Sequence, residues 1–206
     1  VIMIDSLSDF DGGVTFMAFS DKQFYTILSK NGELALDAGA SQDNGSLVRL
    51  QTPDGSDSQL WQVLLVEDTK FFKLKNKSSG KLLDTLVSGI EAGTWCQQWD
   101  DVDGDSQIWY AEEAEEGYTK LKSQKSGRCL DIVAMAAVEG ALLQIWDDVD
   151  GENQQWKMTA AVQEQAPAKA PRAKKPAAKE PAQKKPAAKT ATKKAAAPKS
   201  STQKAS

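Results

Sequence analysis

Histidine is missing from this chain of 206 residues, cysteine occurs only twice, and the sequence contains no long apolar run. Without histidine, the chain lacks the commonest general base and the commonest metal ligand at neutral pH. Cys96 and Cys129 could form one disulfide, but neither stands in a metal-binding spacing such as Cys-x-x-Cys, and buried free thiols are the simpler expectation. The longest apolar opening, residues 1–4, ends at Asp5, far short of the roughly 20 residues that span a membrane. The sequence therefore predicts no cofactor, no metal site and no transmembrane segment.

The charge of the chain is distributed unevenly. Residues 166–206 contain eleven lysines, one arginine and a single acid, Glu180, so this segment carries +11, whereas residues 1–165 carry −15. Alanine, lysine and proline fill 31 of its 41 positions, and it contains no aromatic residue. Such a segment cannot bury enough apolar surface to offset the entropy lost on ordering. We therefore expect residues 163–206 to form a disordered, extended, basic tail behind an acidic body of residues 1–162.

Three internal repeats organise the acidic body. Each repeat ends in a Gln-x-Trp triplet, and the tryptophans of these triplets, Trp61, Trp109 and Trp156, lie 48 and 47 residues apart. The last two repeats are the most alike, since residues 93–109 match residues 140–156 at 10 of 17 positions without a gap. A Leu-Asp pair precedes each triplet, again at intervals of 47 residues: Leu36-Asp37, Leu83-Asp84 and Leu130-Asp131. Repetition of this kind predicts one supersecondary unit that is used three times.

Within a repeat the pattern indicates short β-strands. Apolar runs such as residues 71–74 and 81–83 are separated by Ser-Gly and Asn-Gly signals, and no stretch of the body keeps the 3.6-residue periodicity of a helix. An Asp-Gly pair, which favours a tight hairpin turn, stands just before each triplet, at residues 54–55, 103–104 and 150–151. One such unit cannot bury a core alone. The sequence therefore predicts an all-β fold, a β-trefoil in which three repeats close around a pseudo-threefold axis.

The three Gln-x-Trp repeats resemble the module of the ricin B-chain-type (R-type) lectin family over most of residues 20–160. The resemblance implies a β-trefoil whose Gln-x-Trp tryptophans belong to the core. It also implies a carbohydrate-binding, non-catalytic protein with a preference for galactose-type sugars. A lectin of this kind is expected to be secreted or at the cell surface, although no signal-peptide pattern is visible in the chain. The basic tail resembles the Lys/Ala/Pro-rich ends of linker histones.

The same resemblance implies where a sugar would bind. The family pattern has an aspartate early in the repeat, an aromatic platform further along, and a polar pair that leads into the Gln-x-Trp triplet. The spacing from the aspartate to the platform tryptophan is 15 in both the second and the third repeat. The third repeat matches the pattern with Asp131, Gln144, Trp146, Asn153 and Gln154, and the second matches it with Asp84, Gln97, Trp99, Ser106 and Gln107.

These residue types suit the chemistry of a sugar. The C–H face of a pyranose can lie on an indole ring, and an ionised aspartate can accept hydrogen bonds from two hydroxyl groups at once. Asn153 adds a donor and an acceptor, whereas Ser106 at the equivalent position has a shorter reach. In the first repeat Asp37 remains, but Gln51 replaces the platform and Ser58 replaces the asparagine. We therefore expect the third site to dominate, the second to be weaker and the first to be inactive.

Other interpretations of the same residues remain open. Trp99 and Trp146 could cover the core instead of a ligand. Residues 101–105 and 148–151 resemble a calcium loop, although an Asp-Gly turn explains this pattern better, because the glycine stands at the fourth position rather than the sixth. The carboxylates could suggest a glycosidase, but they recur with the repeat, as those of a single catalytic cleft would not. The tail could bind nucleic acid or another polyanion, with the trefoil as a structural or docking head.

Overall fold

The computed structural model describes residues 19–162, and the predicted tail at residues 163–206 lies outside them. This part of the chain forms twelve strands: β1 (Phe24–Ser29), β2 (Ala35–Asp37), β3 (Arg49–Gln51), β4 (Leu60–Leu65), β5 (Phe72–Asn76), β6 (Leu82–Thr85), β7 (Thr94–Trp99), β8 (Trp109–Glu113), β9 (Thr119–Ser123), β10 (Cys129–Ile132), β11 (Leu143–Trp146) and β12 (Trp156–Ala160). Six 3₁₀ segments lie between them: Asp57–Gln59, Leu86–Ser88, Asp105–Gln107, Glu115–Gly117, Val133–Met135 and Glu152–Gln154. Among the described residues there is no α-helix, and none of the helical segments could cross a membrane.

Six of the strands close into a barrel. β1 pairs with β4 and β12, β5 pairs with β4 and β8, and β9 pairs with β8 and β12, all in antiparallel orientation. Along β1 and β5 every second residue is buried, because successive side chains of a strand point to opposite faces. The ring of pairings therefore encloses one apolar face and leaves the other face to solvent.

The remaining six strands form three hairpins, one in each repeat. β2 pairs with β3, β6 with β7, and β10 with β11. The hairpins also contact one another, since β7 pairs with β11 and isolated bridges join Leu47 to Gln97 and Arg49 to Leu142. A six-stranded barrel joined to a triangle of hairpins, with four strands in each of three repeats, is a β-trefoil. The predicted fold is confirmed.

The Gln-x-Trp tryptophans lie in the core, as predicted. Trp61, Trp109 and Trp156 are each 0% exposed. A buried indole N–H needs an acceptor, and each Nε1 finds one on the leucine of the Leu-Asp pair in its own repeat. The acceptors are the backbone oxygens of Leu36, Leu83 and Leu130, at 2.9, 3.1 and 3.1 Å. Each of these bonds fixes the backbone directly before the aspartate of a predicted sugar site.

The prediction of hairpin turns at the Asp-Gly pairs is wrong. The strands on either side do not pair with each other, since β7 pairs with β6 and β11 while β8 pairs with β5 and β9. The left-handed conformation falls on Asp103 and Asp150, each with φ of 55°, and only in the first repeat on the glycine, Gly55, with φ of 74°. Aspartate tolerates this region better than most residues. The pair therefore bends the chain into the 3₁₀ segment that carries the Gln-x-Trp glutamine.

Both cysteines are buried and free, as expected. Cys96 stands opposite Thr85 on β6, and Cys129 stands opposite Trp146 on β11. Burial raises the pKa of both thiols, that of Cys129 to about 12. Because the thiolate is the reactive form, both side chains act as small apolar residues at neutral pH.

Candidate functional site

The β10–β11 hairpin of the third repeat brings the predicted site residues together. Asp131 on β10 stands opposite Gln144 on β11. Trp146 follows Gln144 by two residues and therefore lies on the same face of the hairpin. Asn153 and Gln154 come from the 3₁₀ segment Glu152–Gln154, which precedes the core tryptophan. All five residues predicted for this repeat thus belong to two adjoining pieces of backbone.

Three side-chain amides donate hydrogen bonds to the Asp131 carboxylate. Gln144 Nε2 lies 2.8 Å from Oδ1, while Asn153 Nδ2 and Gln154 Nε2 lie 2.6 and 2.9 Å from Oδ2. A carboxylate has about four acceptor positions, so these bonds leave room for a further donor. The three amides also hold the group in one orientation, as a preformed acceptor requires.

The electrostatics of Asp131 differ from those of a structural ion pair. The residue is 2% exposed. Burial raises the pKa of its carboxyl group, and the bonds from Gln144, Gln154 and Asn153 partly offset this shift. Within residues 19–162 no lysine or arginine contributes to the shift. Neutral amide groups, rather than an ion pair, therefore stabilise the charged form of Asp131.

Trp146 supplies an accessible aromatic ring beside this carboxylate. Its side chain is 40% exposed. Gly93, which directly precedes β7, lies next to it with φ of 89°, and a Cβ atom at this position would lie 3.5 Å from Trp146 Cζ3. The indole therefore rests against glycine backbone, and part of the ring remains open to solvent. The exposed part of the ring is therefore available to contact a ligand.

The β6–β7 hairpin of the second repeat contains a less complete set. Gln97 stands opposite Asp84 and donates from Nε2 to Asp84 Oδ2 at 3.3 Å. Trp99 is half-buried, and its Cζ3 lies 3.6 Å from the Cβ position at Gly45. Ser106 is buried and accepts a hydrogen bond from a neighbouring serine hydroxyl at 3.3 Å. The platform and the aspartate are present here, but no asparagine reaches the carboxylate.

Two buried acceptors of the second site lack a donor in the described structure, namely Asp84 Oδ1 and Gln97 Oε1. Burial raises the pKa of Asp84, and the Ser106 hydroxyl and the Gln97 amide partly offset this shift. The hydroxyl is near the carboxyl group but does not meet hydrogen-bond geometry with Oδ1. The Asp84 carboxylate is therefore held by fewer protein donors than the Asp131 carboxylate of the third repeat.

The glutamine of each Gln-x-Trp triplet holds its loop. Gln107 and Gln154 are 0% exposed. Each side chain donates to a carbonyl and accepts from an amide of the preceding loop: Gln107 bonds Asp100 O at 2.8 Å and Val102 N at 3.2 Å, and Gln154 bonds Asp147 O at 2.9 Å and Val149 N at 3.0 Å. Gln154 also reaches its aspartate, as described above. Both glutamines therefore hold the loop that precedes them, and Gln154 also helps to orient the Asp131 carboxylate.

The first repeat has an open cleft without an aromatic platform. The cleft has a volume of about 570 Å³, is lined by Asp37, Gln51 and Ser58 among others, and has no aromatic residue in its wall. Asp37 already accepts hydrogen bonds from the Gly39 backbone N–H at 2.5 Å and from Gln59 Nε2 at 3.0 Å. The expectation that this site is inactive stays a prediction.

Lysines neutralise the loops that resemble calcium sites. In each loop one lysine ammonium lies within 3.0 Å of two carboxylates, and the pairs are Lys73 with Asp101 and Asp103, and Lys120 with Asp148 and Asp150. The lysine nitrogen takes the place that a cation would need. Over residues 19–162, no group of three or more potential metal ligands is found. The geometry therefore favours a lysine-braced turn over a calcium loop.

Trp95 is an exposed aromatic residue that the sequence reasoning missed. It lies on β7 directly opposite Gln144 of the third repeat, and it is 42% exposed. The equivalent positions of the other repeats hold Leu47 and Leu142, so the residue type at this position is not shared by the three repeats. The alternation of Trp95, Gln97 and Trp99 along one strand was the available signal. The repeat that Trp95 faces follows only from the pairing of β7 with β11.

A barrel of three repeats, the second and third of which place an aspartate, a glutamine and a tryptophan on adjoining strands, is the arrangement of a lectin-type β-trefoil. The chain belongs to the ricin-type β-trefoil lectin domain-like family, whose model matches residues 15–99 and 105–166. A comparison with curated proteins finds no match.

Solved structures agree with this assignment. The designed threefold-symmetric protein ThreeFoil is 29% identical, with a TM-score of 0.63, over 66% of this chain and 96% of its own. An exo-β-1,3-galactanase from Clostridium thermocellum is also 29% identical, with a TM-score of 0.66, over 72% of this chain but only 32% of its own. The ricin B-like lectin of Macrolepiota procera, solved with lactose, shares the fold at 18% identity and a TM-score of 0.60, over 69% of this chain and 98% of its own. The family supports carbohydrate binding in general.

Proposed function

We propose that this protein is a non-catalytic lectin that binds galactose-type sugars at the third-repeat site and, more weakly, at the second-repeat site. The observation that carries the proposal is the buried Asp131 carboxylate, which three amides orient beside the exposed ring of Trp146. Membership of the lectin family supports the same function.

The chemistry of the third site suits a pyranose. The C–H patch of the sugar stacks on the Trp146 indole, where both apolar burial and the negative ring face favour it. Hydroxyl groups donate to Asp131, and bonds to a charged acceptor are roughly twice as strong as neutral ones. Because the acceptors are fixed in direction, a sugar with one inverted hydroxyl leaves a buried group unpaired, and the site discriminates against it.

Two neighbours in the comparison support a galactose-type ligand. The Macrolepiota procera lectin was solved with lactose, a galactoside, and the Clostridium thermocellum enzyme is a galactanase. Absence of catalysis is supported by the composition of the sites. A glycosidase needs two carboxyl groups on either side of one bond, whereas Asp84 and Asp131 lie in separate hairpins, each bonded to amides.

The tail offers a second candidate function, because its charge of +11 is concentrated on a segment without aromatic residues. Such a tail would bind polyanions through counterion release and without sequence preference. A truncation after Val162 separates the two functions. We expect the full chain and the truncated chain to bind immobilised galactose equally, and only the full chain to bind heparin or duplex DNA, with an affinity that falls steeply as salt rises.

Glycan-array binding and salt-dependent heparin retention measure the two activities on the same pair of proteins, and thermal scans confirm that both are folded. Loss of galactose binding on truncation would contradict the proposal that the repeats carry the sugar sites. Equal heparin binding by both forms would move the polyanion site to the repeats. An array without any glycan signal for either form would remove the lectin function itself.

The affinity for galactose should begin to fall at a higher pH than the one at which an exposed aspartate takes up a proton. Burial raises the pKa of Asp131 above its ordinary value of 3.8, so this group takes up a proton at a higher pH than an exposed aspartate does. The protonated group loses the charge that strengthens hydrogen bonds from sugar hydroxyls, and affinity falls as the pH falls through the raised pKa. Protonation also relieves the burial penalty, so the contribution of Asp131 to stability rises, rather than falls, in the same range.

Titration calorimetry with galactose between pH 7 and pH 4, beside circular dichroism at each pH, checks this expectation. A double variant, Asp84→Asn with Asp131→Asn, is the control, since it lacks both buried carboxyl groups whose pKa is raised and its residual affinity should no longer follow this titration. An affinity that stays constant until the protein unfolds would show that the ionised form of Asp131 is not required.

A further inference from the structure

The two most exposed of the six tryptophans stand on either side of one residue of the third site. Trp146 and Trp95 are 40% and 42% exposed, whereas the three core tryptophans are 0% exposed. On β11, Gln144 precedes Trp146 by two residues. It stands directly opposite Trp95 on the neighbouring strand β7. The two indoles are therefore diagonal neighbours on one face of the sheet, a spacing within reach of aromatic side chains.

The row of residues across three strands links Trp95 to the aspartate. Asp131 on β10, Gln144 on β11 and Trp95 on β7 are consecutive cross-strand partners. Two strand spacings separate the ends of this row, a distance of roughly 10 Å. A ring that stacks on Trp146 and bonds Asp131 leaves Trp95 uncovered on the side away from the carboxylate. The site thus extends beyond what one sugar ring can contact.

Gln144 provides a polar group between the two indoles. Its Nε2 donates to Asp131 at 2.8 Å, so the amide orientation is set by that bond. Its Oε1 lies on the side of Gly93, 4.0 Å from the Cβ position of that glycine, and accepts no hydrogen bond from the described part of the chain. A hydroxyl of a second ring could donate to this oxygen while its C–H face lies on Trp95.

From this arrangement we propose that Trp95, contributed by the second repeat, forms a second subsite of the third-repeat site, which therefore recognises a galactose-containing disaccharide or longer chain rather than a single terminal sugar. The inference rests on the proposed lectin function. The equivalent positions of the other two repeats hold Leu47 and Leu142, which offer no flat ring. The second subsite is therefore specific to the third repeat, and it sets the length of the preferred ligand.

The test uses the full chain and compares methyl β-galactoside with lactose and β-1,3-galactobiose by titration calorimetry. The wild-type protein should bind one or both disaccharides about two- to tenfold more tightly than the monosaccharide, the range expected for one aromatic stacking contact. Trp95→Leu should remove this advantage and leave the monosaccharide affinity within about twofold, because leucine occupies the equivalent positions without harm to the fold. Leu142→Ala, at the matching position facing the first repeat, should change neither affinity.

The outcomes separate this inference from the function on which it rests. A wild-type chain that binds neither class of sugar overturns the lectin function and the subsite together. A chain that binds the monosaccharide and both disaccharides alike, with no effect of Trp95→Leu, overturns the subsite alone. Equal weakening of monosaccharide and disaccharide binding in Trp95→Leu also overturns it, since the residue would then support the whole site. If the Leu47→Trp variant acquires a preference for disaccharides at the second site, the result would support the same role for a tryptophan at the equivalent position of that site.

Discussion

Replacing Trp156 by alanine should lower the free energy of unfolding by about 3–5 kcal/mol, the range for truncation of a large buried aromatic residue. The side chain is 0% exposed, so its removal leaves a cavity in the core of the barrel. It also removes the donor that bonds the Leu130 carbonyl at 3.1 Å, and an unpaired buried carbonyl adds to the loss. Urea denaturation followed by tryptophan fluorescence or circular dichroism measures the change.

Trp146→Ala is the matched control for this experiment, because it deletes the same side chain from a position that is 40% exposed. We expect this variant to lose less than about 1 kcal/mol, as surface substitutions generally do, and to lose sugar affinity instead. A similar loss of stability in both variants would contradict the division between core and platform tryptophans.

Replacing Asp131 by alanine should weaken sugar binding at the third site by about 1.5–3 kcal/mol, or roughly 10- to 150-fold, the range for hydrogen bonds to a charged group. The variant removes the carboxylate that three amides orient. The side chains of Gln144, Asn153 and Gln154 then lose the acceptor that fixes them. Titration calorimetry with galactose or a galactoside measures the effect, and a thermal scan tests whether the fold persists.

Asp37→Ala is the matched control, because it removes the equivalent carboxylate from the first repeat. There the carboxylate bonds Gly39 and Gln59, and the neighbouring cleft has no aromatic wall. We expect no change in sugar affinity from this variant. Equal affinity for Asp131→Ala and the wild type would mean that the third repeat does not bind the sugar through its aspartate.

The fold could be predicted from the sequence because a threefold repeat restricts the possible architectures. Three units of equal length that each end in the same triplet must share one core, and the structure confirms both the trefoil and the burial of Trp61, Trp109 and Trp156. Local rules were less reliable. The Asp-Gly pairs have the composition of hairpin turns, but the strands that flank them have partners elsewhere in the sheet.

The sequence predicted which residues of the third repeat lie together, but not their detailed contacts, and their role in sugar binding stays a prediction. The structure brings together the five residues that the family resemblance implied for the third repeat, namely Asp131, Gln144, Trp146, Asn153 and Gln154. Equivalent positions nevertheless differ in their contacts, since Gln154 reaches its aspartate while Gln107 bonds only within its loop. A difference of about one ångström decides such a bond, and a sequence pattern does not carry it. The position of Trp95 was hidden for another reason, because it depends on a pairing between repeats.

The bond from each core indole to the leucine before the aspartate has a consequence for how this molecule can change. The first repeat keeps it, with Trp61 bonded to Leu36, although Gln51 has replaced its platform. The bond from the core indole is therefore present in all three repeats, whereas the residues on the surface of each repeat differ. Substitutions of surface residues in one repeat therefore leave these core bonds intact, so one scaffold can tolerate three repeats with different surfaces.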